Sequence, residues 1–278
     1  MFATHESLVG KTAVITGGSG VLCSEMAKEL ARQGVNVAIL NRTFEKGALV
    51  ADAINAEGGR AIAVAADVLD RSSLEASKEK VMRAFGRIDI LINGAGGNHP
   101  DAITDDETFE STSRAKSFFD MQEDGFSKVF ATNFTGTFLT SQVFGLELLK
   151  QDTSAVINIS SMSAYSPMTK VPAYSAAKSA INNFTMWMAV HFAETGMRVN
   201  AIAPGFFLTE QNRNLLLNED GSHTLRSEKI LTATPMNRFG EPTDLLGALL
   251  WLVDERYSGF VTGITVPVDG GFIAYSGV

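Results

Sequence analysis

Short β-branched runs alternate with amphipathic helical stretches along almost the whole chain, and this rhythm constrains the fold more than any other feature. The first run, Thr12–Thr16 (TAVIT), is apolar at its centre and ends in Gly17-Gly18-Ser19-Gly20. A buried parallel strand leading into a sharp strand-to-helix turn has this pattern. A helix is expected over about 21–33, with Leu22, Met26, Ala27 and Leu30 on one face and Gly34 at its left-handed cap. Further strands are expected over 36–40, 61–65, 89–93, 155–160, 198–203 and 263–268. Helices are expected to end near 57, to cover 69–85, and to run from 126 to about 150 and from 172 to about 195. Strands separated by helices require right-handed crossovers, so the fold class is α/β, a doubly wound parallel sheet covered on both faces. No linker, repeat or low-complexity tract interrupts it, and residues 1–278 are expected to form a single domain.

Composition removes several functions. With 31 acidic and 23 basic side chains, the formal net charge is −8. No basic stripe offers a hold on nucleic acid. The lone Cys23 cannot form an internal disulfide, and with four scattered histidines it makes no zinc cluster, so no metal is expected. The opening residues MFATHESLVGK lack an apolar signal core, and no apolar run is long enough for a membrane span. The expectation is a soluble, cytoplasmic protein with a small-molecule ligand.

Two stretches break the rhythm, near 97–124 and 206–242. Both follow strand C-termini, the edge where open α/β sheets bind ligands, so they are expected to be substrate loops. At the first such edge, Gly17, Gly18, Ser19 and Gly20 would let backbone approach a pyrophosphate at a helix N-terminus. An ordinary glycine turn remains the alternative. A P-loop is excluded because His5 stands at its first glycine and a strand follows Lys11-Thr12. A serine-hydrolase elbow fails because Val21 replaces its last glycine. The second strand ends in Asn41-Arg42, with no acid for a ribose 2′-hydroxyl and a guanidinium suited to a 2′-phosphate. NADP(H) is therefore favoured, with NAD(H) possible. Tyr174 and Lys178 lie four apart at a helix start and share a face. The ammonium is expected to favour the ionised phenol, and Ser160 or Ser161 could bring a hydroxyl to the same point.

Taken together, TGGSGVLC, Asp67, the INGAG stretch at 92–96, Asn133, Ser161, YSAAK at 174–178, Pro204-Gly205 and VDGG at 268–271 resemble the short-chain dehydrogenase/reductase family over nearly the whole length. The resemblance implies a Rossmann fold of about seven strands, commonly assembled as a homotetramer or homodimer. It implies that Tyr174 is the general acid/base, that Lys178 lowers its pKa and binds the nicotinamide ribose, and that Ser161 holds the reacting oxygen. Asn133 would support a water and proton relay to the lysine. For the cofactor it implies Gly17, Gly18, Ser19, Gly20, Val21 and Leu22 at the pyrophosphate, Asn41 and Arg42 at the adenosine ribose, and Asp67 and Val68 at the adenine. Asn93, Gly94, Ala95 and Gly96 would line the next turn, with Pro204, Gly205 and Thr209 beside the carboxamide and pyrophosphate. The reaction implied is reversible hydride transfer between nicotinamide and a carbonyl or secondary alcohol.

The chain departs from the family pattern in places. Val21 and Cys23 replace the second and third glycines of the turn, Gly94 replaces an asparagine, and the loop after Gly96 is long. Cys23 reads either as a reactive thiol or as a small packing residue. That loop and the run PGFFLTEQN at 204–212 resemble the D-mannonate oxidoreductase-like branch, which implies a sugar acid of the D-mannonate/D-fructuronate type. Asn98, His99, Gln211, Asn212 and Arg213 supply hydrogen-bonding groups and a cation for such a substrate. Phe206, Phe207 and residues 215–217 leave open a reductase of another ketone, such as a 3-ketoacyl thioester. A non-catalytic nucleotide-binding protein is the third reading.

Overall fold

The computed structural model describes residues 3–209 and 213–277. Its strands are β1 (Thr12–Thr16), β2 (Asn36–Asn41), β3 (Arg60–Ala65), β4 (Ile90–Asn93), β5 (Ser154–Ile159), β6 (Met197–Pro204) and β7 (Thr265–Val268). They form one parallel sheet in the order β3-β2-β1-β4-β5-β6-β7. The order changes direction between β1 and β4, which opens a crevice above their C-terminal ends.

The strands β1, β2, β4, β5 and β6 bury both faces, with alternate side chains entering opposite cores. Ala13, Ile15, Val37, Ile39, Ile90 and Ile92 enter one core with Met26, Ala27 and Leu30 of α1 (Val21–Arg32) and Leu249 of α9 (Leu246–Val253). Val14, Ala38, Leu40, Leu91 and Val156 enter the other, against Leu74 of α3 (Arg71–Phe85) and Phe144 of α5 (Gly136–Leu148). Each fully buried leucine or phenylalanine contributes about 1.5–3 kcal/mol. The remaining helices are α2 (Phe44–Ala56), α4 (Glu123–Phe130), α6 (Pro172–His191), α7 (Arg213–Leu216), α8 (Leu225–Thr232) and α10 (Glu255–Ser258).

The element boundaries shift for local reasons. The third helix begins at Arg71 rather than 69, because the Asp70 side chain accepts the Ser72 N–H and caps it. Asp89 stays out of β4 and spends its carboxylate on the Thr12 N–H and Arg87. The sixth helix stops at His191, and Gly196 takes φ +79° in the turn that follows. The helix expected from 126 to about 150 starts at Glu123 and is broken by a π-turn over Ala131–Thr135. Wider winding there frees carbonyls of the preceding turn. The Thr132 hydroxyl donates to Lys128 O at 2.9 Å, and Asn133 Nδ2 donates to Val129 O at 2.8 Å.

Neither irregular loop is without structure. The first carries 3₁₀ turns at Pro100–Ala102 and Phe118–Asp120; the second carries α7 and α8. Met188 is buried, whereas Met186, Trp187 and Phe260 are exposed. No described helix is long and apolar enough to cross a membrane.

Candidate active site

The crevice holds a cleft of about 380 Å³. One wall comes from the turn after β1 and the start of α1; the other comes from the end of β5 and the start of α6. Gly17, at φ +63°, is required: a Cβ there would come within 2.9 Å of Ala95 Cα. The turns after β1 and β4 thus meet backbone to backbone. Thr16 Oγ1 ties them by accepting the Gly94 and Ala95 N–H groups at 3.1 and 3.2 Å. Asn41 fixes the turn from the other side, accepting the Ser19 N–H at 2.9 Å and donating to Ser19 Oγ at 2.7 Å. Gly20 caps α1 without a side-chain acceptor, which leaves first-turn N–H groups uncapped at the cleft. Such a helix end suits an anion, so this wall fits a cofactor pyrophosphate.

The two departures at Cys23 and Gly94 are one adjustment. A Cβ built on Gly94 would collide with Cys23 Sγ, so the sulfur fills space that a larger residue at 94 would need. Cys23 is buried, and burial pushes its thiol up to about 11, although the Lys178 charge opposes this. It is a packing residue rather than an activated nucleophile.

On the opposite wall, Ser161 caps the 3₁₀ turn Met162–Ala164 by accepting the Ser163 N–H at 3.2 Å, and its hydroxyl stands near enough to Tyr174 to pull the phenol's pKa down. Ser160 is committed elsewhere: its hydroxyl donates to Asn182 Oδ1 at 2.5 Å. Both serines line the cleft, and Ser161 is the one whose hydroxyl acts on Tyr174. Lys178 is buried, donates to Ile159 O at 2.8 Å, and lies 5.5 Å from the Tyr174 ring centroid. Burial lowers its pKa to about 8.

The expected effect on the phenol is reversed in the protein by itself. Desolvation pushes Tyr174 above its ordinary value, and the Ser161 hydrogen bond only partly offsets it. Tyr174 is half-buried at the cleft, and its loss of solvent outweighs the pull of Ser161. The ammonium at Lys178 does not outweigh that loss.

Asn133 sits inside the π-turn, fully buried. Its Oδ1 accepts the Gly97 N–H at 3.2 Å, and its Nδ2 donates to Gly97 O at 2.7 Å as well as to Val129 O. A Cβ on Gly96 would lie 2.5 Å from Asn133 Oδ1 and 3.4 Å from Lys178 Nζ, so Gly96 runs between these two side chains. Asn133 thus pins the backbone that passes Lys178.

Other expected residues fall into distinct groups. Gly17, Gly20, Val21, Leu22, Gly94, Gly96, Pro204, Gly205 and Thr209 line the cleft. Asp67 follows β3, and its Oδ1 accepts the Leu69 N–H; Val68 is buried beside Gly136. Asn93 donates to Ser141 and Asn158 within the core. Arg42 is exposed beyond β2, and no ion pair engages it among the described residues.

Asn98 and His99 make local turn contacts: Asn98 Oδ1 accepts the His99 N–H, and His99 Nδ1 accepts the Asp101 N–H. They and the exposed Arg213 do not line the cleft. Gln211 and Asn212 lie outside the described residues. Sequence reasoning missed an adjoining pocket of about 460 Å³ that shares Phe206 with the cleft and includes Lys170, Arg226 and Lys229. Arg226 and Lys229 share a face of α8, but only the fold brings Lys170 to them.

Comparison with known proteins agrees with this geometry. The sequence profile of the short chain dehydrogenase family matches residues 11–220. The chain is 73% identical over 278 residues to an uncharacterized oxidoreductase, UxuB, of Bacillus subtilis (strain 168), covering 100% of both chains. A 2-dehydro-3-deoxy-D-gluconate 5-dehydrogenase of Dickeya dadantii (strain 3937) is 33% identical over 269 residues, covering 96% of this chain and 97% of that one. A crystal structure from Haemophilus influenza, provisionally assigned as a D-mannonate oxidoreductase and bearing bound NAD, superposes with a TM-score of 0.95 at 50% identity. That match covers 98% of each chain. With a parallel seven-stranded sheet, a cleft of about 380 Å³ at its switch point and this family match, the chain belongs to the short-chain dehydrogenase/reductase family and is an oxidoreductase.

Proposed function

We propose that the protein interconverts a sugar acid and its keto-acid, of the D-mannonate/D-fructuronate type, with NADP(H) favoured over NAD(H). The observation that carries the chemistry is the convergence of Ser161, Tyr174 and Lys178 on one wall of the cleft, opposite the uncapped start of α1. The substrate class draws support from the sugar-acid names of the relatives.

A bound nicotinamide supplies or accepts the hydride. In this reading the first turn of α1 and Gly17–Leu22 hold the pyrophosphate, Asn41 and Arg42 the adenosine ribose, and Asp67 and Val68 the adenine. Pro204, Gly205 and Thr209 line the carboxamide end. Tyr174 gives its phenolic proton to the substrate oxygen in reduction and takes the hydroxyl proton in oxidation. Ser161 hydrogen-bonds that oxygen and the phenol together, which stabilises charge as it develops. Lys178 binds the ribose and places a positive charge on the Tyr174 side of the site below about pH 8. Asn133 acts as a positioning residue, because its amide is already committed to Gly97 and Val129.

The same reading places the protein in the cytoplasm as a homotetramer or homodimer. The exposed Phe126, Phe138 and Trp187 on α4, α5 and α6 support an association surface there.

The deciding experiment follows reduced nicotinamide by its near-ultraviolet absorbance, supplying NADP⁺ and NAD⁺ separately with D-mannonate, other aldonates, and simple secondary alcohols. Turnover of an aldonate is expected. Turnover restricted to apolar ketones or alcohols would discard the substrate class and keep the chemistry. Cofactor binding with no turnover of any substrate would favour a non-catalytic protein.

A further inference from the structure

The pocket beyond Phe206 has a charge pattern that the catalytic cleft lacks. Four titratable side chains line it: three cations, Lys170, Arg226 and Lys229, and one acid, Glu107. This excess of positive charge stands out on a chain whose net charge is −8. It is assembled from three distant pieces of sequence. Glu107 comes from the loop after β4, Lys170 from the segment just before α6, and Arg226 and Lys229 from α8.

These pieces are fastened together. Lys229 Nζ lies 3.0 Å from Glu107 Oε1. Lys170 Nζ donates to Asp105 O at 2.5 Å, and Lys170 O accepts the Thr104 N–H at 3.0 Å. Lys170 also holds φ +69°, a conformation unusual for a residue with a side chain, and strain of this kind concentrates at functional sites. No ion pair engages Arg226 among the described residues. The pocket is tied to the catalytic helix as well: the Met168 N–H donates to Ser175 Oγ at 3.3 Å, next in sequence to Tyr174.

We infer that Lys170, Arg226 and Lys229 form the subsite for the substrate's carboxylate, and that Glu107 occupies it as an exchangeable internal carboxylate until substrate enters. The inference rests on the sugar-acid reading above and names the residues that would enforce it. Its physical basis is the fit already present, since a carboxylate stands against Lys229 with Lys170 and Arg226 near it. The Glu107 carboxyl is held below its usual range chiefly by its hydrogen bond and charge interaction with Lys229, with lesser help from Lys170 and Arg226. The Glu107–Lys229 pair is solvent-exposed, so breaking it costs little. A substrate carboxylate can replace it and also engage the guanidinium of Arg226 in a two-pronged contact. The reacting carbon of the same molecule then reaches Tyr174 past Phe206, the residue common to pocket and cleft.

The test is calorimetric titration of the full chain with D-mannonate and D-gluconate, beside turnover of the same compounds and titration with the nicotinamide nucleotides. Arg226→Gln should weaken aldonate binding about tenfold, the loss expected for one charge-assisted contact. Glu107→Gln should tighten it severalfold, because the internal competitor is gone. Neither substitution should alter nucleotide affinity. Wild-type protein that takes up no aldonate, or variants that titrate like wild type, would overturn the subsite.

The two readings fail separately. Aldonate binding with this variant pattern but without turnover keeps the subsite and removes the sugar-acid activity. Aldonate turnover unaffected by Arg226→Gln and Glu107→Gln keeps the activity and removes the subsite. A purely structural role for Glu107 would show as loss of binding in Glu107→Gln, the opposite sign to the gain expected, and would also overturn the proposal.

Discussion

The two walls of the binding region are built by different means. On the β1–α1 side the wall is backbone: glycines that permit close approach, uncapped N–H groups, and Thr16 and Asn41 holding the turns in place. The adjoining pocket is built instead from side chains on irregular loops and α8, which gather Lys170, Phe206, Arg226 and Lys229 from separate stretches of the chain. A pyrophosphate is invariant, so its site can be cast in main chain at strand ends. A substrate varies within a family, so its site is left to loops whose side chains can change without disturbing the sheet.

The sharpest test of the catalytic wall is Tyr174→Phe. Removing the hydroxyl deletes both the proton relay and one donor to the substrate oxygen, so kcat should fall on the order of 10⁴-fold. Cofactor affinity should remain, because the backbone wall is untouched. Retained turnover in the purified variant would end the assignment.

Ser161→Ala comes next, with an expected loss of about 10²–10³-fold. It also carries a pH signature. The Ser161 hydrogen bond lowers the Tyr174 pKa while burial raises it. Removing that bond leaves burial unopposed, so the phenol ionises at higher pH. The rising limb of kcat for alcohol oxidation should therefore move to higher pH. A loss of rate with an unmoved limb would mean that Ser161 serves only the substrate oxygen.

The same contrast explains what could be read from sequence. The strand rhythm and the glycine turn depend on local periodicity and backbone freedom, so the sheet, its layers and the glycine turn after β1 were legible. Tyr174 and Lys178 were legible because one helix turn joins them. The phenol's raised pKa was not, since enclosure by distant residues decides it. The π-turn at Asn133 depends on side chains competing for carbonyls one turn earlier, which helical periodicity does not record. Asn98, His99 and Arg213 were chosen for chemical type alone, and the folded loops direct Lys170 and Arg226 to the adjoining pocket instead.

The coupled departure at Cys23 and Gly94 offers a test within the backbone wall. Gly94→Asn forces a side chain into the space held by the Cys23 sulfur and should cost about 1–3 kcal/mol, read as a lower denaturation midpoint. Adding Cys23→Gly should restore only part of that loss, because it removes the sulfur but not the Thr16 carbonyl oxygen, which would lie 2.8 Å from the new Cβ. Additive effects in the double variant would show that the two departures are independent. Activity should follow stability here rather than collapse, since neither side chain takes part in proton transfer.

The smallest expected effect belongs to Arg42, where the backbone wall ends and a side chain takes over. The adenosine end has no acid at Asn41, whose amide is already spent on Ser19, and the neighbouring guanidinium is exposed with no ion pair among the described residues. A 2′-phosphate would gain that cation; a 2′-hydroxyl would gain little from it. Arg42→Ala should therefore raise KM for NADP⁺ about tenfold, equivalent to about 1.4 kcal/mol, while KM for NAD⁺ stays within about twofold. The effect should shrink at high salt, because the contact is solvent-exposed. Equal changes for both nucleotides would mean that Arg42 supports the turn rather than the phosphate. Cofactor choice would then rest with the backbone wall, which has no means of telling the two nucleotides apart at the 2′ position.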